Sequence, residues 1–299
     1  MHGATQGDRL AEQDLALGPE ELEELYRRMV LLRRADSVFV EMGRSSLVPF
    51  AWSAHGLEAL VAGVVAALRP ADWLYPDLRT TGAALLRGYA FAEHLEQLLG
   101  TGRDRTRGRT LPGLASCVEG RVAPATAALG VRAAEALGTA WALRVSEPGT
   151  LAACVLGPSE LEDLRPLDVL ERALRLRSPL FGVLVGPKAV AERWMSLLAD
   201  HGIAHAFASS IDGAGIATSA QKLAERCRSD SEPAALVCEE RRAPDPLERV
   251  AEQLGPARER EIRCGVWDEI GRHVVEALGE GRAHRLLASV EARDAQPLP

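Results

Sequence analysis

Short β-prone runs alternate with helical stretches through the second half of this chain, and that alternation constrains the fold more than any other feature. The β-prone runs lie at residues 151–156, 180–185, 205–208 and 234–238, and the helical stretches between them lie at 167–176, 189–200 and 214–227. Strands separated by helices in this way are typical of parallel sheets with crossover helices. The sequence therefore predicts the α/β fold class, with a parallel sheet that carries helices on both faces.

The first third of the chain is predicted to be helical. Pro19 opens a helix that runs to about residue 42, because proline suits a first helical turn and the glutamates that follow it suit the positive end of the helix dipole. A second helix, over residues 57–68, is apolar on all sides. That pattern predicts burial within a large core or against a partner subunit.

Three segments make up the predicted organisation. Residues 1–17 form a flexible polar arm, residues 18–255 form one α/β unit, and residues 256–299 form a helical C-terminal segment. Within the α/β unit, the alanine-rich stretch 126–143 predicts a tightly packed helix. Residues 101–125 are rich in glycine and arginine and predict a long loop. Its arginines are interpreted as a solvated surface, and a contact with an anion or a partner stays open as the alternative.

Composition and charge exclude several classes of function. The chain has 299 residues and a net charge of −7, which argues against a nucleic-acid-binding surface. Its longest apolar run, 59–68, is shorter than the roughly 20 residues of a membrane span. The N-terminus lacks the apolar core of a signal peptide. The five cysteines form no CxxC pair, so we expect free thiols and a cytoplasmic location. Because the longest apolar run is too short to span a membrane, we expect no membrane partner.

No common catalytic motif is present. The sequence contains no P-loop, no HExxH and no Gly-x-Ser-x-Gly elbow. The segment 213–215, Gly-Ala-Gly, lacks the third glycine of a dinucleotide fingerprint, and a helix cap is the better interpretation. His201 and His205 are four residues apart, but a predicted strand follows directly, so a metal pair is not expected.

Residues 55–89 carry the most specific pattern in the chain. They read HGLEALVAGVVAALRPADWLYPDLRTTGAALLRGY. This stretch resembles the alpha subunits of the thiamine diphosphate-dependent 2-oxo acid dehydrogenases, the pyruvate and branched-chain family. That family has a Gly-Gln-Glu-Ala helix, a Leu-Arg-Pro-x-Asp-Trp turn and a Gly-Ala-Leu-Leu-x-Arg-Gly helix, which align here without a gap. The resemblance extends over roughly residues 18–255.

The resemblance implies a fold, a cofactor and a partner. It implies an alpha chain that pairs with a beta chain in a heterotetramer, with thiamine diphosphate between them and oxidative decarboxylation of pyruvate or a related 2-oxo acid as the activity. The cofactor supplies the carbanion chemistry, and the protein binds and orients it. On this resemblance Arg79, Gly130 and Gly157 are the cofactor-binding residues, and self-association is the alternative to a beta-like partner.

The metal ligands that the family uses are missing here. The family holds the diphosphate through Mg²⁺, with an Asp in a Gly-Asp-Gly turn and an Asn after the next strand. Those positions fall on Pro158 and Gly186 in this sequence. Mg²⁺ needs oxygen ligands in near-octahedral geometry. Glu162 and Asp163 lie close by as substitutes, but a displaced carboxylate rarely restores such a site. No metal ligand and no catalytic residue is therefore assigned, and binding of the cofactor by this chain is doubtful.

Other positions that carry chemistry in the family have also changed. A Tyr before the conserved arginine is Leu78, and three family histidines fall on Thr81, Trp52 and Leu114. Arg79 is retained, and pairing with a local carboxylate such as Asp77 is an equally good interpretation. The favoured hypothesis is a non-catalytic alpha-subunit homologue, a pseudoenzyme that keeps its assembly surface. The alternatives are an active subunit with a non-standard metal site and a scaffold or regulatory protein that reuses the fold.

Overall fold

A parallel sheet forms the centre of the molecule. The computed structural model describes residues 17–49, 53–114, 116–125, 130–241 and 243–294. The strands are β1 (Trp73–Tyr75), β2 (Ala152–Leu156), β3 (Leu180–Gly186), β4 (Ala204–Ser209) and β5 (Ala234–Glu239). All neighbouring strands pair in parallel, in the order β1-β2-β3-β5-β4. The predicted α/β fold class is confirmed.

Helices connect and cover the strands. They are α1 (Pro19–Arg44), α2 (Glu58–Ala67), α3 (Ala83–Leu86), α4 (Phe91–Leu99), α5 (Val131–Ser146), α6 (Pro158–Leu161), α7 (Arg165–Leu176), α8 (Lys188–Asp200), α9 (Gly213–Asp230), α10 (Pro246–Leu254), α11 (Pro256–Leu278) and α12 (Glu280–Asp294), with a short 3₁₀ helix at Leu78–Thr80. The helical N-terminal third is confirmed, and the described part of the 101–125 segment is irregular as predicted. Within the described residues no helix is both long and apolar enough to cross a bilayer.

The sheet separates two apolar cores. Helices α2 and α9 lie in the core on one face, with strand side chains such as Val155, Val183 and Leu236, and α1 packs against α2. Helices α5, α7 and α8 pack on the other face, against Cys154 and Leu184 among others. Successive residues of a strand point to opposite faces, so strands that are buried on both sides read as continuous apolar runs. Helices on both faces of the sheet are therefore confirmed.

Helix α2 lies inside the first core. Nine of its ten residues are buried, and it packs along α9 more extensively than any other pair of helices. At the crossing, a Cβ on Gly63 would lie 2.7 Å from Ile216 Cγ2 and 3.1 Å from the backbone nitrogen of Ala217. Glycine is thus required for the close approach of the two helices. Of the two locations that the sequence allowed for this apolar helix, the structure places it in the core of its own chain.

The last two helices pack back on the first. Arg34 of α1 stacks over the Trp267 ring of α11, with its guanidinium carbon 4.7 Å from the ring centroid. The Ser289 hydroxyl of α12 donates to a Glu41 carboxylate oxygen of α1 at 2.8 Å. Helix α11 also contacts α4. The C-terminal helices and α2 are therefore both packed against α1.

A buried carboxylate, Asp72, fixes the entry to the sheet. Its oxygens accept hydrogen bonds from the backbone nitrogens of Arg69 at 2.7 Å and Leu151 at 2.9 Å, and it pairs with Arg228 of α9. Asp72 is fully buried and Arg228 is 7% exposed. The Arg228 guanidinium also donates to the carbonyl of Ala67 at the end of α2. One ion pair thus joins the turn before β1, the start of β2 and helices α2 and α9.

We expect Asp72→Ala to lower the free energy of unfolding by about 3–5 kcal/mol, because it removes the buried anion of Arg228 and leaves only the exposed Glu225 carboxylate as its partner. Glu225→Ala is the matched control. Glu225 also accepts hydrogen bonds from Arg69 and Arg228, but its side chain is 55% exposed. Its removal should cost less than about 1 kcal/mol. Urea unfolding followed by circular dichroism measures both values, and equal losses would show that burial of the pair is unimportant.

Candidate functional site

The carboxyl ends of four strands bring the candidate residues together. Asp77 and Arg79 follow β1, Gly157 follows β2, Gly186 ends β3, and Glu240 follows β5. Ligands of open α/β sheets bind in the crevice outside the carboxyl ends of the strands. This edge of the sheet is therefore the candidate site.

Asp77 sets the local geometry at the end of β1. Its Oδ1 accepts hydrogen bonds from the backbone nitrogens of Arg79 and Thr80, at 2.9 and 2.8 Å, and so caps the 3₁₀ helix. A Cβ on Gly157 would lie 2.9 Å from Asp77 Oδ2 and 4.0 Å from Arg79 Nη2. The carboxylate and the guanidinium therefore lie directly against the turn that follows β2.

Arg79 is held by a carboxylate of its own chain. Its Nη1 and Nη2 donate to Glu240 Oε1 and Oε2 at 2.8 and 3.2 Å, while Asp77 Oδ2 is 3.9 Å from Nε. Burial lowers the pKa of Arg79, but the hydrogen bond and charge of Glu240 raise it, and the net shift is upward. The local partner suggested by the sequence, Asp77, is thus secondary, and the main partner lies 161 residues away.

A second carboxylate, Glu160, accepts hydrogen bonds from the backbone nitrogens of Gly157 and Gly130. Glu160 Oε2 accepts from the backbone nitrogen of Gly157 at 3.3 Å and from Arg132 Nη1 at 3.0 Å. Burial raises the Glu160 pKa, and Arg132 and the backbone nitrogens of Gly157 and Gly130 lower it, with a net upward shift. Arg132 and Glu160 are each 4% exposed. Gly130 and Gly157 therefore meet at one internal anion.

Sequence reasoning did not single out Glu160, Arg132 or Glu240. Two signals pointed to the first pair. Arg132 is a charged residue on the buried face of an alanine-rich helix, which requires an anion. Glu160 follows Gly157 by three residues, the spacing of a capping box, and it closes the first turn of α6. No comparable signal marks Glu240.

The metal-ligand positions of the resembled family hold no ligand. Pro158 is the first residue of α6, and Gly157 is its cap. A Cβ on Gly186 would lie 3.0 Å from Val190 Cγ1 of α8, so an asparagine there requires Val190 to move. Asp163 is turned toward solvent and pairs with Arg165 at 2.6 Å. Among the residues that the structure describes, no group of three or more acidic, His or Cys side chains could hold a metal ion.

These residues do not fit a diphosphate bound through Mg²⁺. The donors that would meet an anion, on Arg79, Gly130 and Gly157, already bond carboxylates of this chain. Thr81 is the residue after the 3₁₀ helix, and Leu114 is half-buried in the long loop. Neither side chain supplies an imidazole. Trp52, the third of the family's histidine positions, lies outside the described residues.

A polar cluster at the start of α2 is the second feature of note. Asp36 of α1 is 8% exposed, and its carboxylate accepts hydrogen bonds from Ser53 Oγ and the backbone nitrogen of Ala54, both at 2.8 Å. Burial raises the Asp36 pKa to about 6, against the hydrogen bonds from Ala54 and Ser53, and the charge of Glu58 adds to the rise. Glu58 itself is paired with Arg33, which also binds Asp245. The cluster fastens the segment before α2 to α1.

Comparison with known proteins finds a family similar to part of the chain. The family described as the dehydrogenase E1 component matches residues 26–159. The chain is similar to that family over residues 26–159. The chain is a divergent relative of the alpha subunits of the thiamine diphosphate-dependent 2-oxo acid dehydrogenases, as the resemblance at residues 55–89 indicated.

Curated relatives agree with this assignment. The mitochondrial 2-oxoisovalerate dehydrogenase subunit alpha 2 of Arabidopsis thaliana is 28% identical over 145 residues, which are 48% of this chain and 31% of that protein. The 3-methyl-2-oxobutanoate dehydrogenase subunit alpha of Mycobacterium tuberculosis is 38% identical over 87 residues, 29% of this chain and 23% of that protein. The chain thus spans about a third or less of the length of the curated relatives it matches.

Solved structures extend the likeness of fold to nearly the whole chain. The transketolase of Campylobacter jejuni superposes with a TM-score of 0.53 at 16% identity, over 90% of this chain and 48% of that one. A transketolase from Pichia stipitis gives 0.51 at 14% identity, over 91% and 47%. At this identity the likeness is one of fold.

The stability of the Asp36 cluster should depend on pH. The folded pKa of Asp36 is raised above the unfolded value, so the native state binds the proton more tightly. The contribution of Asp36 to the free energy of unfolding is then greatest below about pH 4 and falls as pH rises to about 6, by up to about 3 kcal/mol. Asp36→Asn keeps an oxygen that accepts from the Ala54 nitrogen and an amide nitrogen that donates to Ser53 Oγ, without the charge, and should remove this fall.

Urea unfolding at a series of pH values measures the effect. Ser53→Ala is the companion variant. It removes a hydrogen bond that lowers the Asp36 pKa, so the fall should extend to higher pH. The idea is wrong if wild type and Asp36→Asn lose stability in parallel as pH rises.

Proposed function

We propose that this protein is an alpha-subunit-like component of a 2-oxo acid dehydrogenase, and that it is non-catalytic. The observation that carries the proposal is the carboxyl edge of the sheet. Pro158 and Gly186 stand at the ligand positions, and the chain's own carboxylates bind Arg79, Gly130 and Gly157. The fold of the family is kept while the groups that would hold its cofactor are replaced or already bonded.

The role that we propose for a non-catalytic chain is assembly with another chain. One face of α5 is apolar and turned to solvent. Val131, Trp141 and Val145 are 42%, 51% and 73% exposed, and they share that face with Ala134 and Gly138. A face of this kind is favoured for contact with another chain. We propose a beta-like subunit or a second copy of the chain as the partner.

The proposal also covers location and substrate class. Five free cysteines, four of them buried, suit a reducing cytoplasm. The names of the relatives support a branched-chain 2-oxo acid at least as well as pyruvate for the assembly in which the chain takes part. The chain contributes structure to that assembly and no catalytic residue.

The assembly surface is tested on α5. We expect light scattering to show that the chain associates, alone or with a beta-like chain encoded beside it. Trp141→Glu with Val145→Glu should weaken this association at least about tenfold, because it places charge in an apolar contact. Phe207→Glu, at a residue that is 48% exposed on strand β4, is the matched control and should not weaken it. A monomer of 32.1 kDa under both conditions contradicts the proposal.

The non-catalytic role is tested by calorimetry with thiamine diphosphate and Mg²⁺. Without metal ligands on the protein, the charge of the diphosphate has no fixed cation to oppose it. We expect no saturable binding at micromolar concentrations, by the chain alone or with its partner. Tight, Mg²⁺-dependent binding would instead favour the alternative of an active subunit with a non-standard metal site. Association with a protein unrelated to this chain and to the dehydrogenase beta subunits would favour the scaffold or regulatory alternative.

A further inference from the structure

The Arg79–Glu240 ion pair crosses the carboxyl edge of the sheet. Arg79 follows β1 and Glu240 follows β5, and β2 and β3 lie between these strands. Strands are spaced by about 4.8 Å, so the ends of β1 and β5 are roughly 14 Å apart. The two long side chains meet between them. Gly157 and Gly186, at the ends of the two intervening strands, offer no side chain to obstruct the pair.

A backbone hydrogen bond to β3 holds Glu240 in position for its ion pair with Arg79. Its backbone nitrogen donates to the carbonyl of Gly186 at 2.8 Å, which continues the ladder between β3 and β5 by one residue. Its carboxylate then takes both terminal nitrogens of Arg79, at 2.8 and 3.2 Å. A guanidinium binds a carboxylate and a phosphate through the same two-point geometry. A carboxylate bound to these nitrogens therefore excludes a phosphate from them.

The remaining acid near Arg79 cannot take over this role. Asp77 Oδ1 is committed to the backbone nitrogens of Arg79 and Thr80, and Oδ2 is 3.9 Å from Arg79 Nε. Loss of the Glu240 charge would thus leave the two terminal nitrogens of Arg79 free at the candidate site.

We propose that the Glu240 carboxylate is an intramolecular ligand that fills an oxyanion site on Arg79 and so closes the carboxyl edge of the sheet to diphosphate-class anions. Glu160 does the same for the backbone nitrogens of Gly157 and Gly130, with Arg132 as its counter-ion. The pair on Arg79 is half-exposed, whereas Glu160 is buried. A single substitution at Glu240 can therefore remove a carboxylate without disturbing the buried core.

The test is calorimetric titration of the full chain with inorganic pyrophosphate in low-salt buffer. Glu240→Gln keeps the shape of the side chain and loses its charge, and we expect it to bind pyrophosphate at least tenfold more tightly than wild type. Glu240→Ala should show the same gain, which guards against an effect peculiar to glutamine. The double variant Arg79→Gln, Glu240→Gln should return to the wild-type level.

Glu225→Gln is the matched control. It also neutralises a glutamate that binds arginine, at the exposed Arg69–Glu225 pair away from the edge, and should bind pyrophosphate as wild type does. Thermal unfolding of every variant verifies that it is folded. The proposal is overturned if the Glu240 variants bind no more tightly than wild type, or if their gain survives loss of Arg79. This outcome is separate from the proposed function, which depends on association and on Mg²⁺-dependent cofactor binding by the unaltered chain.

Discussion

The buried contact between Asp72 and Arg228 determines how the two halves of this chain meet. Asp72 lies in the turn between α2 and β1, and Arg228 lies in α9, 156 residues later. Their pair, with the backbone bonds from Arg69 and Leu151, places α2 against α9 and aligns β1 with β2. A buried pair of this kind is not by itself a large source of stability, but neither partner tolerates loss of the other. It therefore specifies one arrangement of the elements that lead into the sheet.

That arrangement brings charged residues to the carboxyl edge. With β1 beside β2, the residues that follow β1 lie over the turn at Gly157, and with β5 beside β3, Glu240 faces them from the other side. Strand ends made of glycine leave room for long side chains to cross. The site that the fold creates for a ligand is occupied by side chains from the two flanking strands.

The sequence was sufficient to predict most of the strands and helices, but it was insufficient to predict the order of the strands in the sheet. The runs at 151–156 and 180–185 became β2 and β3 because apolar strands buried on both faces leave a strong pattern. Strand β1 was missed, because three residues after a proline turn carry too little pattern to be distinguished from the turn. The insertion of β5 between β3 and β4 was also beyond prediction, since alternation of strands and helices does not specify which strand pairs with which. The 57–68 segment was predicted as a buried helix, but its neighbour, α9, could not be named.

The site was predictable only where its contacts are local or resemble a known pattern. Arg79, Gly130 and Gly157 were named from the resemblance, and the structure places Arg79 beside Gly157 and joins Gly157 to Gly130 through Glu160. Whether they bind a cofactor stays a prediction. The anions they bond were not foreseen. Glu240 is 161 residues from Arg79, and a partner at that separation follows from strand order, which the sequence does not reveal.

The internal carboxylates also balance the charge of arginines at the carboxyl edge of the sheet. Arg132 is 4% exposed, and a guanidinium buried without an anion is strongly destabilising. A protein that relies on a bound anion to neutralise such a group gains stability only while the anion is present. Here Glu160 supplies that charge to Arg132, and Glu240 supplies it to Arg79, from within the chain. The arginine charges at the carboxyl edge of the sheet are therefore balanced by residues of the chain itself.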